Sequence, residues 1–514
     1  MDLSTIVRSG AIEYADACAV SCDGRTQTYR QLHERACRLA NALAGLGVQP
    51  GDRVATLSDN CLELVEQMTG IALGGYVRAA LYTHVSAESN RYLLDLVGAS
   101  ALIVEARLYE AIAARLSQLP DLRHVLVFGG PAPHETTSYE DALAAASAED
   151  PATVLHDDDP HVIRFSSGTT GKPKGILHTV AGWRAVATEM ALLMPRLDSN
   201  DKYLAAGPLA HAALLPLFGT LAAGGTVVAL RTFDPHRFVQ TVERERCTTT
   251  LLVPTMIQMI AAIPESRTAD LSSLRAVFYG AAPISERTLA DGRAIWGDIM
   301  HQLYGQSEAV PLTSLAPRDH VGHRLRSAGR ATPNTVLRIV DEQGLDLPQG
   351  EVGEIAARTP AAMAGIWRDD VATADRVLAD GSILTRDMGY LDEDGFLFLA
   401  DRKEDMIISG GYNIWPAELE NALASHPAVA EVAVVGVPHE KWGETPKAVV
   451  VLHGDRDATE QELIDWTREK VGAVKRVTSV EFVEQLPKSA LGKGLRREVR
   501  LRHGDGTGRS IAGA

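Results

Sequence analysis

The chain has 514 residues, 46% hydrophobic and 23% charged; at roughly 100–200 residues per domain this predicts more than one domain and excludes a disordered chain, a fibre or a disulfide-stapled miniprotein. Lys and Arg number 50 against 66 Asp and Glu, a formal net charge of −16. Such a surface repels phosphate backbones, which excludes nucleic-acid wrapping as the main task, and any polyanionic small molecule would need a locally positive site.

The opening stretch MDLSTIVRSGAIEYAD has no basic start followed by an apolar run, so no secretory signal is expected and a cytoplasmic location is. Cys18, Cys22, Cys37, Cys61 and Cys247 show no metal-type pairing and are expected as reduced packing residues. Residues 30–49 place Leu32, Ala36, Leu39 and Leu43 at helical spacing, and Gly45–Gly47 stops that helix. Pro50-Gly51-Asp52 then turns into the strand-like RVATL. Apolar runs at Ala101–Val104, His124–Phe128, Thr226–Leu230, Thr249–Val253 and Ala276–Tyr279 alternate with helical segments, which predicts an α/β fold with largely parallel, buried strands. The weakly charged stretch His211–Leu230 is broken by Pro216, Gly219, Gly224 and Gly225, so it reads as buried helix, turn and strand, with no membrane span.

Thr335–Val340, Gly353–Ala357 and the hairpin signal Asp392-Glu393-Asp394-Gly395 predict a small β-rich subdomain over 330–400. Beyond it, a helix at Pro416–Ser425, strands at Val429–Val437 and Lys447–Leu452, and a helix at Thr459–Val471 form an α+β unit of about 100 residues, enough for its own core. The charged stretch 401–405 suits a linker, so the expected domains are 1–401 and 402–514, and the Gly-rich last twelve residues are expected to be disordered.

The most specific local signal is Ser166-Ser167-Gly168-Thr169-Thr170-Gly171-Lys172-Pro173-Lys174-Gly175, set between two strand-like runs. Glycines permit close backbone approach, while hydroxyls, backbone N–H groups and two lysines suit phosphate oxygens. Lys172 is followed by Pro, so this is not the P-loop NTPase signature.

This loop resembles the phosphate-binding motif of the adenylate-forming enzymes: acyl- and aryl-CoA synthetases, non-ribosomal-peptide adenylation domains and firefly luciferase. Four further segments are similar in the same order. They are Tyr304-Gly305-Gln306-Ser307-Glu308, Thr385-Arg386-Asp387-Met388-Gly389-Tyr390, Asp401–Asp405 with Ser409-Gly410-Gly411-Tyr412-Asn413-Ile414, and Pro487-Lys488-Ser489-Ala490-Leu491-Gly492-Lys493. The family usually has Gly where this chain has Arg386 and Asp401.

The resemblance implies a large N-terminal domain of parallel-rich sheets with helices and a β subdomain, and a small mobile α+β C-terminal domain. It also implies ATP and Mg²⁺ as cofactors. The loop Ser166, Ser167, Gly168, Thr169, Thr170, Gly171 and Lys174 would grip the pyrophosphate end of ATP. Gly280, Ala281, Ala282, Tyr304, Gly305 and Ser307 would also line the nucleotide site. Glu308 would hold the metal, Asp387 would accept both ribose hydroxyls, and Arg402 would reach ribose or phosphate. Lys493 would bridge the α-phosphate and the substrate carboxylate. Glu404 would be the hinge, and rotation about it would bring Gly411 to the path of a pantetheine arm.

Leu209-Ala210-His211-Ala212-Ala213 resembles the segment that places a histidine, here His211, between acyl pocket and thiol. The segment has no Asp to pair with an α-ammonium, which argues against α-amino acids. Trp183, Tyr279, Gly280, Ala281, Tyr304, Gly305 and Val310 are the pocket candidates; their aromatic, small and apolar character suits an aryl or cyclic acid. The implied activity is a ligase forming an acyl-adenylate and passing the acyl group to coenzyme A. The alternative acceptor is an amine or a carrier-protein thiol. A homodimer stays open.

Overall fold

The computed structural model describes residues 2–166, 173–402, 405–409, 412–439, 442–454, 456–472, 475–487 and 496–503. The chain divides into two compact units: Met1–Pro283, Ala290–Leu337 and Ala357–Ile383 in one, and Ile284–Leu289, Arg338–Ala356 and Leu384–Ala514 in the other.

Two sheets organise the first unit. One has nine strands in the order Arg330–Ala331, Ala309–Leu315, Met300–Gln306, Ala276–Gly280, Thr249–Leu252, Lys202–Ala205, Thr226–Ala229, Cys18–Cys22 and Arg25–Thr28. Its centre is parallel, and the early strand Cys18–Cys22 enters it beside Thr226–Ala229 with Val20 opposite Val227. The helix Tyr29–Gly45 follows at once, started by a capping box of Thr28 and Gln31. Tyr29, fully buried, donates its hydroxyl to the carbonyls of Leu221 and Gly225 at 3.0 and 2.6 Å, tying this helix to the far part of the sheet.

The second sheet has eight strands in the order Gly365–Ile366, Lys174–Thr179, Pro160–Ser166, Val77–Ala80, Arg53–Leu57, Ala101–Glu105, His124–Phe128 and Thr137–Ser138. Ala101–Glu105 is buried at every position, as a parallel strand covered on both faces must be. Val54, Ile103 and Val162 from this sheet join Tyr203, Val227 and Phe278 from the other in one apolar core. Leu57, Val104, Ile163 and Phe165 pack in a second cluster. The expected α/β class with buried parallel strands is the class observed.

The second unit holds a four-stranded sheet, Val336–Val340, Gly353–Arg358, Ile383–Leu391 and Leu397–Arg402, and a five-stranded sheet with the helices Pro416–Ala424 and Glu460–Val471. Ile407, Leu419, Leu423, Val434, Val450 and Leu463 form the core of the latter. All five cysteines are free thiols; burial pushes Cys22 and Cys37 up to about 11, and Cys61 and Cys247 up to about 12. Among the described residues no helix is long and apolar enough to cross a membrane.

Candidate active site

Ser166 and Lys174 stand opposite each other at the open end of an antiparallel hairpin, Pro160–Ser166 against Lys174–Thr179. Ser167, Gly168, Thr169, Thr170, Gly171 and Lys172 lie outside the described residues. The end of the hairpin is pinned. The Trp367 N–H donates to the Gly175 carbonyl at 2.7 Å, and the Tyr92 hydroxyl donates to the Pro173 carbonyl at 3.3 Å. Lys174 Nζ lies 3.8 Å from Asp369 Oδ2, a loose and partly exposed pair.

Gly280 ends a strand of the parallel sheet, and Ala281 and Ala282 follow it, at the C-terminal end where open α/β sheets place their ligands. A side chain at Gly280 would put its Cβ 2.1 Å from the Leu303 carbonyl oxygen, so only glycine fits. Ala281 takes the left-handed φ of +65°. The preceding Tyr279 is buried with its hydroxyl 2.9 Å from His320 Nε2. His320 Nδ1 lies 2.9 Å from the Ala316 carbonyl and must donate to it, so Nε2 accepts from Tyr279.

Tyr304 and Gly305 lie just before the end of the adjacent strand, where the ladder to Ala309–Leu315 slips between Tyr304 and Gln306. A Cβ on Gly305 would meet Val310 Cγ2 at 2.9 Å and the Ala309 oxygen at 3.0 Å. The turn beyond is held from three sides. His178 Nε2 donates to the Ser307 carbonyl at 2.8 Å, and the Met363 N–H donates to the Glu308 carbonyl at 2.7 Å. Arg376 Nη2 reaches Glu308 Oε1 at 3.1 Å and Gln306 Oε1 at 3.4 Å. Glu308 and Arg376 are each only 12% exposed. Burial, reinforced by Arg164, pulls His178 down to about 4, so its ring is neutral at pH 7.

Trp183 is buried edge-on to His178 and Phe218, with ring centroids at 5.3 and 6.1 Å. His211 is half-buried before the 3₁₀ turn Ala212–Leu214, its ring 6.4 Å from Tyr82. Val310 lies with Trp183 in the apolar core.

In the second unit, Asp387 pairs in register with Arg402 across two antiparallel strands. Its N–H donates to Thr385 Oγ1 at 3.2 Å, and that hydroxyl donates to the Ile355 carbonyl at 2.8 Å. Arg386 has φ +62°, the left-handed region that favours glycine, which accounts physically for the glycine usual there. Glu354, 4% exposed, holds it: Oε1 accepts the Arg386 N–H at 3.1 Å, and Oε2 lies 3.9 Å from Nη1. The side chain of Arg402, and Glu404, Gly411 and Lys493 altogether, lie outside the described residues.

The family model for the AMP-binding enzyme matches residues 8–367, and that for the AMP-binding enzyme C-terminal domain matches 418–493. The chain belongs to the AMP-binding enzyme family. Feruloyl-CoA synthase of an Amycolatopsis species is 38% identical over 496 residues, 95% of this chain and 96% of the relative. The medium/long-chain-fatty-acid–CoA ligase FadD8 of Mycobacterium tuberculosis is 36% identical over 498 residues, 94% and 86% of the two chains. Among solved structures, the amide bond synthetase McbA from Marinactinospora thermotolerans matches with a TM-score of 0.88 at 30% identity, covering 98% of this chain and 100% of that one.

Two residues of this AMP-binding enzyme escape sequence reasoning. Arg376 lies 68 positions from Glu308 in no motif, and nothing in the sequence marks it. Glu354 had a signal: a non-glycine at a customary glycine position needs an anchor.

Proposed function

We propose that the protein is an ATP-dependent acid–thiol ligase. It converts a carboxylic acid and ATP to an acyl-adenylate and pyrophosphate, then passes the acyl group to coenzyme A. The observation that carries this reading is the near end-to-end similarity to two CoA ligases, together with family matches in both the N- and C-terminal parts of the chain.

In this reading the hairpin end with Ser166, Thr169, Thr170 and Lys174 receives the pyrophosphate side of ATP. Ser307, Gly280 and Gly305 let the nucleotide approach the backbone. Glu308 and Gln306 turn two hard oxygen donors toward one guanidinium nitrogen, at 3.1 and 3.4 Å, so this corner suits a cation and fits Mg²⁺. Bound Mg²⁺ would offset triphosphate charge. Asp387 accepts the ribose hydroxyls, Arg402 assists, and Lys493 positions the α-phosphate against the carboxylate. Residues 402–514 swing as a body about Glu404, exchanging Lys493 for the Gly411 loop. His211 stands where acyl group and thiol meet.

The test is ATP–pyrophosphate exchange over a panel of carboxylic acids, followed by CoA consumption. Exchange with at least one acid is expected, and its absence with every acid defeats the reading. Lys493→Ala is expected to lose exchange, by about a hundredfold or more for one positioned cation, yet still transfer acyl from a supplied acyl-adenylate to CoA. Equal loss of both steps would count against the swing. The full-length likeness to an amide synthetase favours an amine as second acceptor; amide formation exceeding thioester formation would decide for it.

A further inference from the structure

Among the described residues, two arginines in the first unit, Arg78 buried and Arg164 half-buried, have no counter-ion. Arg78, in the strand Val77–Ala80, is 6% exposed and its Nη1 has no hydrogen-bond partner. Arg164, in the strand Pro160–Ser166, also has a buried, unpartnered Nη1. The two strands are neighbours, with Arg78 opposite Val162. The ionisable groups acting on Arg78 are Arg164 and Tyr82, and those acting on Arg164 are Tyr82 and Glu308. Among the described residues no carboxylate forms an ion pair with either guanidinium. Burial, with repulsion from Arg164, pulls Arg78 down to about 10, so it stays charged at pH 7.

The surroundings place this pair behind the acyl-pocket candidates. The Arg164 guanidinium lies over the Trp183 ring at 5.9 Å. Tyr82, which donates to the Phe165 carbonyl at 3.1 Å, lies beside His211 with ring centroids 6.4 Å apart. Arg78 and His161 border a cavity of about 20 Å³ with Met68, Leu214, Phe218 and Trp183, room for about one water. Unpaired buried charge is costly, and an apolar side chain of similar volume would serve packing better. A guanidinium left with free donors is a receptor for an oxyanion.

We propose that Arg78 and Arg164 receive an anionic oxygen at the end of the substrate remote from its reacting carboxylate. The inference rests on reading Trp183 and His211 as pocket residues of the ligase. The substrate class is then a carboxylic acid with a second acidic oxygen, a carboxylate or a phenolate.

Calorimetric binding to the full-length protein without ATP tests this apart from catalysis. The probes are benzoate, 3-phenylpropanoate and hexanoate, each against its remote-carboxylate analogue, with the para-hydroxy forms of the first two separating phenolate from carboxylate. At least one doubly acidic member is expected to bind roughly tenfold tighter than its parent, the size of one charge-assisted hydrogen bond. Arg78→Met and Arg164→Met should each erase that preference, and Arg78→Met should melt no lower than the wild type. If no doubly acidic probe binds tighter than its parent, or the preference survives in both variants, the inference is overturned. Failure of exchange with every acid would defeat the ligase reading instead, since binding preference is read without turnover.

Discussion

Arg376 presents one guanidinium nitrogen to two acceptors, Glu308 and Gln306, and leaves its Nε buried without a partner. The pair is nearly enclosed, so removing the cation strands a carboxylate. Arg376→Leu is expected to cost about 2–3 kcal/mol in urea unfolding, and Glu308→Gln in that background to recover part of it. No recovery would mean the arginine acts by packing alone. At Arg386 the balance differs. A left-handed φ costs roughly 1–2 kcal/mol in a residue with a Cβ, and Glu354 offsets this through the N–H and the guanidinium. Glu354→Ala is expected to lose about 2–3 kcal/mol with Arg386 present and about 1 kcal/mol less after Arg386→Gly. Additivity in that double-mutant cycle would show that the two do not act together.

Adjacent positions at the end of the strand Ala276–Gly280 have opposite tolerance. A Cβ at Gly280 would meet a backbone oxygen, Leu303 O, which cannot swing aside. Ala281, at φ +65°, already strains. Gly280→Ala is therefore expected to destabilise by about 3 kcal/mol or more, and Ala281→Gly to stabilise by about 1 kcal/mol, both read from thermal unfolding. Opposite signs from neighbouring small residues would fix the conformation of this turn.

Elements were more legible than their partners. The largely apolar runs at Ala101–Val104, His124–Phe128 and Thr249–Val253 mark the strands Ala101–Glu105, His124–Phe128 and Thr249–Leu252, because parallel strands covered on both faces are rich in apolar and β-branched residues. Helical spacing in 30–49 likewise gave Tyr29–Gly45. Pairing was not readable. Nothing in Cys18–Cys22 says that it lies beside Thr226–Ala229, since register between distant segments is set by tertiary packing. The same limit hid Arg376 from Glu308, whereas Tyr304–Glu308 and Thr385–Tyr390 stood out because local motifs carry their residues in fixed spacing.

For the molecule as a whole, histidines whose pKa burial depresses set an acid limit. Burial pulls His161, His178 and His301 down to about 4, against an ordinary value of 6.5, and lowers His320 as well. Their folded pKa is depressed, so between pH 6.5 and 4 the unfolded chain binds protons that the folded chain refuses. Stability is complete above pH 6.5, falls as pH drops toward 4, and levels off below it for these groups; each of the first three contributes on the order of 3 kcal/mol over that window. Thermal unfolding followed from pH 7.5 to 4 should show this decline, and His161→Gln should make it shallower. A flat profile would mean that these rings titrate in the folded protein as they do in the unfolded chain.

The placement of Cys18–Cys22 also bears on how the protein is made. The strand pairs at once with Arg25–Thr28, but its parallel neighbour leaves the ribosome roughly 200 residues later, and the Tyr29 hydroxyl must find Gly225 across 196 positions. At about 5–20 residues per second, the first strand waits on the order of ten to forty seconds for its sheet. During that interval Ala19 and Val20, fully buried at the end, lack the strand Thr226–Ala229 beside them, and an unpaired apolar strand edge of this kind is prone to aggregate.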